Sequence, residues 1–513
     1  MKPGFRQCMA WLHVWSGLVV GWILFAVFLT GTAAYLRPEI TNWMRPELQA
    51  APSGPAAAQA VLDHLAQAAP RSASWFVTLP DARQPAIQAF WREGGALRNG
   101  WFAPGTGAPL ALRETSGGEF FYRFHFQLHY LNVPLARWIV SACGMVMLVS
   151  ILSGIVTHRR IFADLFTVRP GKGPRSWLDA HVLAAVAALP YHLVITYSGL
   201  VTLMLMTLPW GVQAAYRGEP GRFAAEVFGT APPERPAGQP APLAAVAPLM
   251  AEAMRLWEGG SVGRIAVQNP GDARAAILLA RRDSESIASI PQTLLFDGVS
   301  GALRHRTGEA AGPMAATRGL LYGLHIGRFA GPALRALLIL SGLAGTAMVA
   351  TGCILWALKA RHKAARAGRR AGFGLRLVEH LNIAAIAGLP VAMAAFLWAN
   401  RLLPPGMAGR AAWEIHLFFI AWGFCLLHPL LRPGLRGWID QTALAALLFA
   451  LLPALNAATT DRHLGRSLAA GDWGMAGFDL GLLATGAALG AIAWRLARRP
   501  GPAWTKAAWA AAK

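Results

Sequence analysis

The feature that most constrains this chain is a set of uncharged runs, each long enough to cross a lipid bilayer. A spanning helix needs about 20 predominantly apolar residues. Six runs meet this length, at 11–36, 138–157, 180–216, 336–358, 381–400 and 441–460. Two weaker runs lie at 415–431, which is slightly short, and at 473–494, which Asp479 interrupts. Since only 14% of the residues are charged, we predict an all-α polytopic membrane protein with eight spans.

Basic residues predict the orientation of these spans, because Lys and Arg in short loops stay on the cytoplasmic side. With a cytoplasmic N-terminus, the cytoplasmic pieces carry 21 of the 47 Lys and Arg residues but only 4 of the 25 Asp and Glu residues. Eight spans return the C-terminus to the same side. The basic stretch 359–376 is then a loop that faces anionic lipid, and we expect no nucleic-acid partner.

Two long polar segments, 37–130 and 210–325, separate the first four spans. Each begins with a helical stretch, at 55–70 and 243–260, and continues into strand-like sequence broken by turns. We therefore predict two small α+β domains outside the membrane. The full predicted organisation is 1–36, N-terminus and first span; 37–130, first domain; 131–158, second span; 159–179, cytoplasmic loop; 180–209, third span; 210–325, second domain; 326–358, fourth span; 359–380, basic cytoplasmic loop; 381–496, spans five to eight; 497–513, cytoplasmic tail.

The first four spans contain an internal repeat. His13 stands 18 residues before Gly31 in the first span, and His181 stands 18 residues before Gly199 in the third. The repeat predicts that 5–165 and 175–360 are two copies of one unit, made of a span, an outer domain and a second span. Because each copy crosses twice, the copies run parallel, with a pseudo-twofold axis along the membrane normal.

Two further pairs of motifs follow the same repeat. Gln-Leu-His-Tyr (127–130) precedes the second span, and Gly-Leu-His-Ile (323–326) precedes the fourth. The turn Gly-Thr-Gly (105–107) in the first polar segment matches Val-Ser-Gly (299–301) in the second.

Together with the opening Trp-Leu-His-Val-Trp-Ser-Gly-Leu, these motifs resemble the PepSY-associated transmembrane family, which includes bacterial ferric-siderophore reductases and other iron-regulated inner-membrane proteins. The resemblance covers about 1–360. It implies two PepSY-like domains, a bacterial inner-membrane location, and two non-covalent b-type haems in a four-helix bundle. It also implies that electrons move outward.

The histidines support haem chemistry independently, since a bis-His haem needs one imidazole from each of two facing helices at similar depth. We predict that His13 pairs with His181 near the cytoplasmic face, and that His129 pairs with His325 near the outer face, as axial ligands of haem iron. No catalytic residue beyond these ligands is expected. A Cys-x-x-Cys-His motif is absent, which excludes covalent c-type attachment.

Alternative assignments stay open at this point. A lone histidine at a membrane boundary is more often an interfacial residue than a ligand. His192 lies three helical turns from His181 on the same face, which makes it an alternative ligand or a proton relay. His125 and His158 flank the proposed sites as further alternatives. The candidate partners of haem propionates are Arg123, Arg159, Arg160 and Arg328, for which the alternative is an ordinary boundary role.

Three function classes follow. The leading hypothesis is a haem-dependent ferric reductase that passes electrons across the membrane to a ferric siderophore or another Fe(III) chelate. Because no dinucleotide fingerprint is present, its electrons would come from a membrane quinol or a separate protein. The alternatives are a non-redox regulatory or binding protein of PepSY type and a transporter. His380, His416 and His428, in the last four spans, are read as packing residues, with a third haem or a quinol site as the alternative.

Overall fold

The computed structural model describes residues 4–49, 52–158, 163, 165, 167, 169, 171–228, 234–290, 292–308 and 312–498. Its helices are α1 (Phe5–Ala34), α2 (Arg37–Met44), α3 (Pro55–Ala68), α4 (Glu119–Gln127), α5 (Val133–Thr157), α6 (Pro174–Ala187), α7 (Leu189–Thr207), α8 (Trp210–Tyr216), α9 (Pro220–Phe228), α10 (Val246–Leu256), α11 (Pro313–Ile326), α12 (Pro332–Arg366), α13 (Phe373–Asn382), α14 (Gly388–Leu402), α15 (Arg410–Leu431), α16 (Leu435–Thr459), α17 (Leu464–Ala469) and α18 (Trp473–Ala497). Its strands are β1 (Ser74–Thr78), β2 (Ile87–Glu93), β3 (Ala96–Phe102), β4 (Val262–Gln268), β5 (Ala276–Arg281), β6 (Thr293–Asp297) and β7 (Leu303–Thr307). A 3₁₀ turn covers Asp283–Glu285, and a π-helical turn covers Ile383–Ala387.

Eight helical segments in the described residues are long and apolar enough to cross a bilayer, which confirms the predicted number of spans. They are α1, α5, α7, α12, the continuous segment Phe373–Leu402, α15, α16 and α18. Local signals set their ends. Asn132, for example, caps α5 by accepting a hydrogen bond from Leu135 N at 3.3 Å, with Pro134 in the first turn. Asp479 lies within α18 without interrupting it.

The first four spans pack as a bundle. Helix α1 lies against α5 and α12, while α5 lies against α7 and α6 lies against α12. Two short helices stand just outside this bundle, each immediately before a span. Helix α4 precedes α5 and packs on α1, and α11 precedes α12 and packs on α7. The chain thus makes corresponding contacts in its two halves.

The third span differs from the prediction, which aligns all of 180–209 with α1 without a gap. The helix breaks at Ala188, where α6 ends, and α7 begins with Leu189 and Pro190. A proline inside a helix removes one backbone hydrogen bond and clashes with the preceding turn. Helix α1 has no proline and runs unbroken. The spanning segment therefore begins at Leu189, and His181 lies on the shorter helix before it.

Separate small domains are predicted for the two outer segments, but the structure joins them in one antiparallel sheet. The strand order is β3-β2-β1-β4-β5-β6-β7, so the first segment supplies three strands and the second supplies four. Strands β1 and β4 pair in register from Ser74↔Gln268 to Thr78↔Arg264. Each of these strands would otherwise be an open sheet edge, and their pairing satisfies the exposed backbone groups of both.

Each outer segment has its helix before its strands, as predicted. Helices α3 and α10 pack together and share one apolar core with the sheet. The two matched turns also share a backbone hydrogen bond. Gly107 N donates to Ala103 O at 2.8 Å, and Gly301 N donates to Asp297 O at 3.0 Å. Both glycines have positive φ, 72° and 74°, a conformation that disfavours a side chain.

Buried polar groups attach the outer ends of spans five to eight to the first half of the chain. Arg410 Nη1 donates to Glu414 Oε1 at 2.6 Å, and Thr115 Oγ1 donates to Glu414 Oε2 at 2.5 Å. Trp43 Nε1 from α2 donates to Asp479 Oδ1 at 2.8 Å. Apart from Thr115, which is 6% exposed, all of these residues are fully buried. Hydrogen bonds and ion pairs of this kind offset the free-energy cost of burying a charged group.

A second attachment lies at the π-helical turn within the spanning segment Phe373–Leu402. Trp22 Nε1 on α1 donates to Asn382 Oδ1 at 2.9 Å, immediately before the turn. Within the turn, the Ala384 carbonyl accepts from Trp422 Nε1 at 2.9 Å. A π turn disturbs the regular helical hydrogen bonds. Tryptophan donors from neighbouring helices thus satisfy polar groups at this irregularity.

Replacing Arg410 with methionine is expected to destabilise the protein by about 3–5 kcal/mol, because it leaves the buried Glu414 carboxylate without its cation. The matched control is Arg466→Met, which removes a pair with Asp461 in which the two side chains are 63% and 90% exposed. The control should lose at most about 1 kcal/mol. Thermal unfolding of the two detergent-purified variants measures the difference, and equal losses would contradict the assignment.

Candidate functional site

Two histidines from different halves of the chain face each other at the end of the bundle nearer the sheet, which is named the outer end. His125 on α4 and His325 on α11 have ring centroids 6.1 Å apart, with ring planes tilted by 31°. His125 Nδ1 lies 2.6 Å from the Val27 carbonyl of α1. His325 Nδ1 lies 3.1 Å from the Ile195 carbonyl of α7 and 3.1 Å from Ser198 Oγ. Each ring is therefore held on its Nδ1 side by the neighbouring spanning helix.

A second histidine pair lies nearer the beginning of α1. His13 on α1 and His181 on α6 also have ring centroids 6.1 Å apart, with planes at 67°. His13 Nδ1 lies 2.8 Å from the Ser150 carbonyl of α5, and His181 Nδ1 lies 2.9 Å from the Met348 carbonyl of α12. The structure thus brings together the two histidines that the repeat pairs at this level.

All four rings rest against a glycine of the helix that holds them. In each case the glycine follows the accepting carbonyl by four residues, and so lies above it on the same helix face. A Cβ on these glycines would lie between 2.5 and 3.3 Å from the nearest imidazole atom. The carbonyl and glycine positions are Val27 and Gly31, Ser150 and Gly154, Ile195 and Gly199, and Met348 and Gly352.

The environment of the outer pair keeps both imidazoles neutral. Burial among apolar groups lowers the pKa of His125, although its bond to Val27 acts in the opposite direction. Burial, and then the neighbouring His125, lowers the pKa of His325 to about 3. A neutral imidazole has a free lone pair and is the form that binds metals.

The geometry of both pairs fits a metal held by two imidazoles. Each Nδ1 bond to a carbonyl assigns the ring proton to Nδ1 and leaves Nε2 as the ligand atom. Bonds of about 2 Å from a metal to each Nε2 would separate the ring centres by about 6 Å, as observed. The described residues contain no group of three or more His, Cys, Asp or Glu side chains suited to a metal. A metal held between two of these imidazoles would take its further ligands from outside the protein, for example the four nitrogens of a porphyrin.

The outer pair opens into a large cavity between the sheet and the membrane helices. Its volume is about 2300 Å³, and both His125 and His325 line it. A pocket for one drug-sized ligand has about 300–1,000 Å³. The cavity therefore has room for a cofactor together with a second molecule.

The structure places His125, rather than the predicted His129, opposite His325. His129 stacks on Phe419 of α15, with centroids 5.5 Å apart, and its pKa is lowered, mainly by burial. The reason is a turn after α4 in which two residues other than glycine, Leu128 and Tyr130, have positive φ values of 55° and 60°. This turn places His129 against α15, where it still lines the cavity, and the Tyr130 hydroxyl bonds to His416 Nδ1.

A different sequence match would have found the correct residue. Tyr122 and His125 are separated by two residues on α4, and Tyr322 and His325 have the same separation on α11. The Leu-His match places the equivalence four residues too late because the connection between α4 and α5 differs from that between α11 and α12. A second signal was available in the sequence, because each of the four glycines that contact a histidine ring directly follows a Ser or Thr, at Gly31, Gly154, Gly199 and Gly352.

His192 and His158 occupy different positions from the two pairs. His192 on α7 is fully buried, with Nδ1 at 3.3 Å from the Ala185 carbonyl and Nε2 without a hydrogen-bond partner. Among the described residues, its ring contacts are Phe28 and Tyr191 rather than another histidine. His158 is the C-cap of α5.

Two of the four arginines predicted near propionates line the outer cavity, namely Arg123 and Arg328. Arg123 Nε donates to Glu119 at 2.8 Å, and Arg328 pairs with Asp283. Arg159 and Arg160 lie outside the described residues.

The histidines of the last four spans make separate contacts. His380 Nε2 lies 2.5 Å from the Leu426 carbonyl. His428 Nε2 lies 3.5 Å from Asp440 Oδ2, and His416 contacts Tyr130.

Comparison with known proteins places this arrangement in a family. The model of the PepSY-associated TM region matches residues 10–359, which include both histidine pairs. The uncharacterized protein PA4219 of Pseudomonas aeruginosa is 30% identical over 405 residues, which cover 71% of this chain and 92% of the relative. The chain therefore belongs to the PepSY-associated transmembrane family.

Proposed function

We propose that this protein is a membrane oxidoreductase that holds two b-type haems and passes electrons outward to ferric iron, bound as a siderophore complex or another chelate. The observation that carries the proposal is the presence of two facing histidine pairs of the same construction at two levels of one bundle. His13 and Val27, which marks the level of the outer pair, are 14 residues apart on the unbroken α1. At 1.5 Å per residue, the two levels are about 21 Å apart.

The chain's own residues prepare both sites. Bound between two imidazoles, haem iron supplies a reversible one-electron carrier. The four carbonyl acceptors fix the ring proton on Nδ1 and orient Nε2, which also raises the basicity of the ligand atom. The four glycines leave the space that the rings occupy. At the outer site, Arg123 and Arg328 line the same cavity as the histidine pair and would supply cations to haem propionates.

The electron count fixes what a donor must supply. Each Fe(III) accepts one electron to become Fe(II), which weakens its hold on oxygen-rich chelators. A membrane quinol gives up two electrons and two protons, so one quinol reduces two ferric ions. A separate electron-transfer protein is the other candidate donor, and the sequence carries no dinucleotide fingerprint.

The same proposal includes the location and the origin of the chain. We place it in a bacterial inner membrane with both termini in the cytoplasm, so that the sheet and the outer histidine pair face the periplasm. We also propose that 5–165 and 175–360 arose by duplication and that both outer segments are PepSY-like. The matching turns and the paired helix contacts of α4 with α1 and α11 with α7 support this.

The geometry favours this function over the two alternatives. A transporter built from repeats usually has broken helices at corresponding positions in both halves, whereas α7 follows a break and its counterpart α1 is continuous. A purely regulatory role does not explain four half-buried imidazoles in two facing pairs, each held on its Nδ1 side.

The first test is the haem content of the protein purified in detergent from haem-replete cells. We expect Soret and α bands that sharpen on reduction, at about two haems per chain. In sealed right-side-out vesicles that receive electrons from the membrane, an impermeant ferric chelate added outside should be reduced. A colourless preparation would exclude the proposal, and reduction only in inside-out vesicles would show that the direction is wrong.

A further inference from the structure

We infer that the outer cavity selects ferric chelates that carry a net negative charge, an inference that rests on the proposed function and names its substrate class. Nine arginines line the cavity, against four carboxylates. A cleft lined by one sign of charge focuses the field and concentrates ligands of the opposite sign. The surplus of five positive charges thus predicts the sign of the ligand.

The carboxylates of the cavity are already shared among arginines. Glu39 lies 2.6 Å from Arg83 and 3.6 Å from Arg335. Glu119 and Asp283 likewise each contact two arginines. A further carboxylate, Glu285, lies outside the lining and pairs with Arg281 at 2.9 Å. Internal pairing thus leaves about four of the surplus positive charges, and two propionates of one bound haem would leave about two.

Arg45 is the clearest cation without a carboxylate partner. It is 9% exposed, its Nη2 donates to the Thr115 carbonyl at 2.7 Å, and its Nε is buried without a hydrogen-bond partner. It forms no ion pair within the described part of the chain, and burial lowers its pKa only to about 10, so it is charged at neutral pH. Its guanidinium lies 4.9 Å from the ring centroid of Trp101, which holds it in the cavity wall.

The sheet provides the surface against which such a chelate would rest. Along β2 and β3, Gln88 pairs with Trp101 and Phe90 pairs with Asn99, and all four residues line the cavity. Residues of the opposite parity face the apolar core beneath α3 and α10. A mixed polar and aromatic wall thus lies across the cavity that contains the outer histidine pair. At about 2300 Å³, the cavity can hold a chelate beside a haem.

The test uses the full-length protein in nanodiscs and redox-inert gallium(III) chelates, so that binding is measured without electron transfer. Isothermal titration calorimetry compares anionic gallium(III) citrate with a cationic gallium(III) trihydroxamate. We expect the citrate complex to bind at least about tenfold more tightly, with an affinity that falls as salt rises. Arg45→Gln should weaken its binding about tenfold or more, since hydrogen bonds to charged groups are the strong ones.

Two further variants keep the result interpretable if Arg45→Gln folds poorly. Arg264→Gln removes a cavity cation whose side chain is 57% exposed, and it should weaken citrate-complex binding. Arg98→Gln is the matched control on β3, because its side chain is 60% exposed outside the cavity, and it should leave binding unchanged.

Equal affinity for the cationic complex, equal affinity for metal-free citrate, or unchanged binding in both cavity variants would overturn the inference. If the protein reduces ferric chelates of every charge equally well and binds them without charge selectivity, this inference is contradicted. The proposed reductase function is then unaffected. Selective binding of gallium(III) citrate by a protein that reduces no iron would support this inference and contradict the proposed reductase function.

Discussion

Replacing His125 with alanine is expected to lower the haem content from about two per chain to about one. The substitution removes one of the two imidazoles that would hold a non-covalent haem at the outer site and leaves only the facing His325. The inner pair, about 21 Å away by helix rise, should keep its haem. Pigment extraction and difference spectra of the purified variant measure both results. Reduction of an external ferric chelate should be abolished.

The variant His129→Ala is the matched control, because it removes a histidine only four residues away that stacks on Phe419 instead. It should retain about two haems per chain. His325→Ala should leave the same residual spectrum as His125→Ala, and His192→Ala should retain both haems. Loss of a haem from His129→Ala but not from His125→Ala would show that the outer site is built differently from the arrangement in the structure.

Replacing Gly31 with valine should remove the outer haem, although the substitution changes no ligand residue. Even the Cβ atom of a larger residue at this position would lie 2.5 Å from His125 Nδ1. This nitrogen is the atom that bonds to the Val27 carbonyl. The ring must then move, and it loses the bond that orients it. We expect about one haem per chain, a retained inner-site spectrum, and loss of external ferric reduction.

Gly17→Val, on the same helix, provides the control for valine itself, since a Cβ there has no neighbour within 4 Å. It should keep two haems. Gly154→Ala, whose Cβ would lie 3.1 Å from the His13 ring, should weaken the inner site less severely than Gly31→Val weakens the outer one. If Gly31→Val and Gly17→Val both bind two haems, the glycine is not part of the site.

Hydropathy and repeat spacing were enough to predict the eight spans, the helix-before-strand order of both outer segments, and the approach of His13 to His181. These features depend on local sequence. A bilayer imposes a length and an apolar composition on each span, and two corresponding positions on equivalent helices come to a similar depth. Strand and turn residues likewise act over a few neighbours.

The sequence offers two matches for the partner of His325, one to His129 and one to His125, and the tertiary structure decided between them. His125 and His129 differ by one helical turn in sequence, and the positive φ values of Leu128 and Tyr130 send one into the bundle and the other toward α15. The sequence does not predict the pairing of β1 with β4 or the burial of Arg410 with Glu414. Both depend on tertiary contacts that hydropathy does not encode. Local patterns determine which elements form, whereas the partners of an edge strand, a buried charge or an imidazole depend on which surfaces meet when those elements pack.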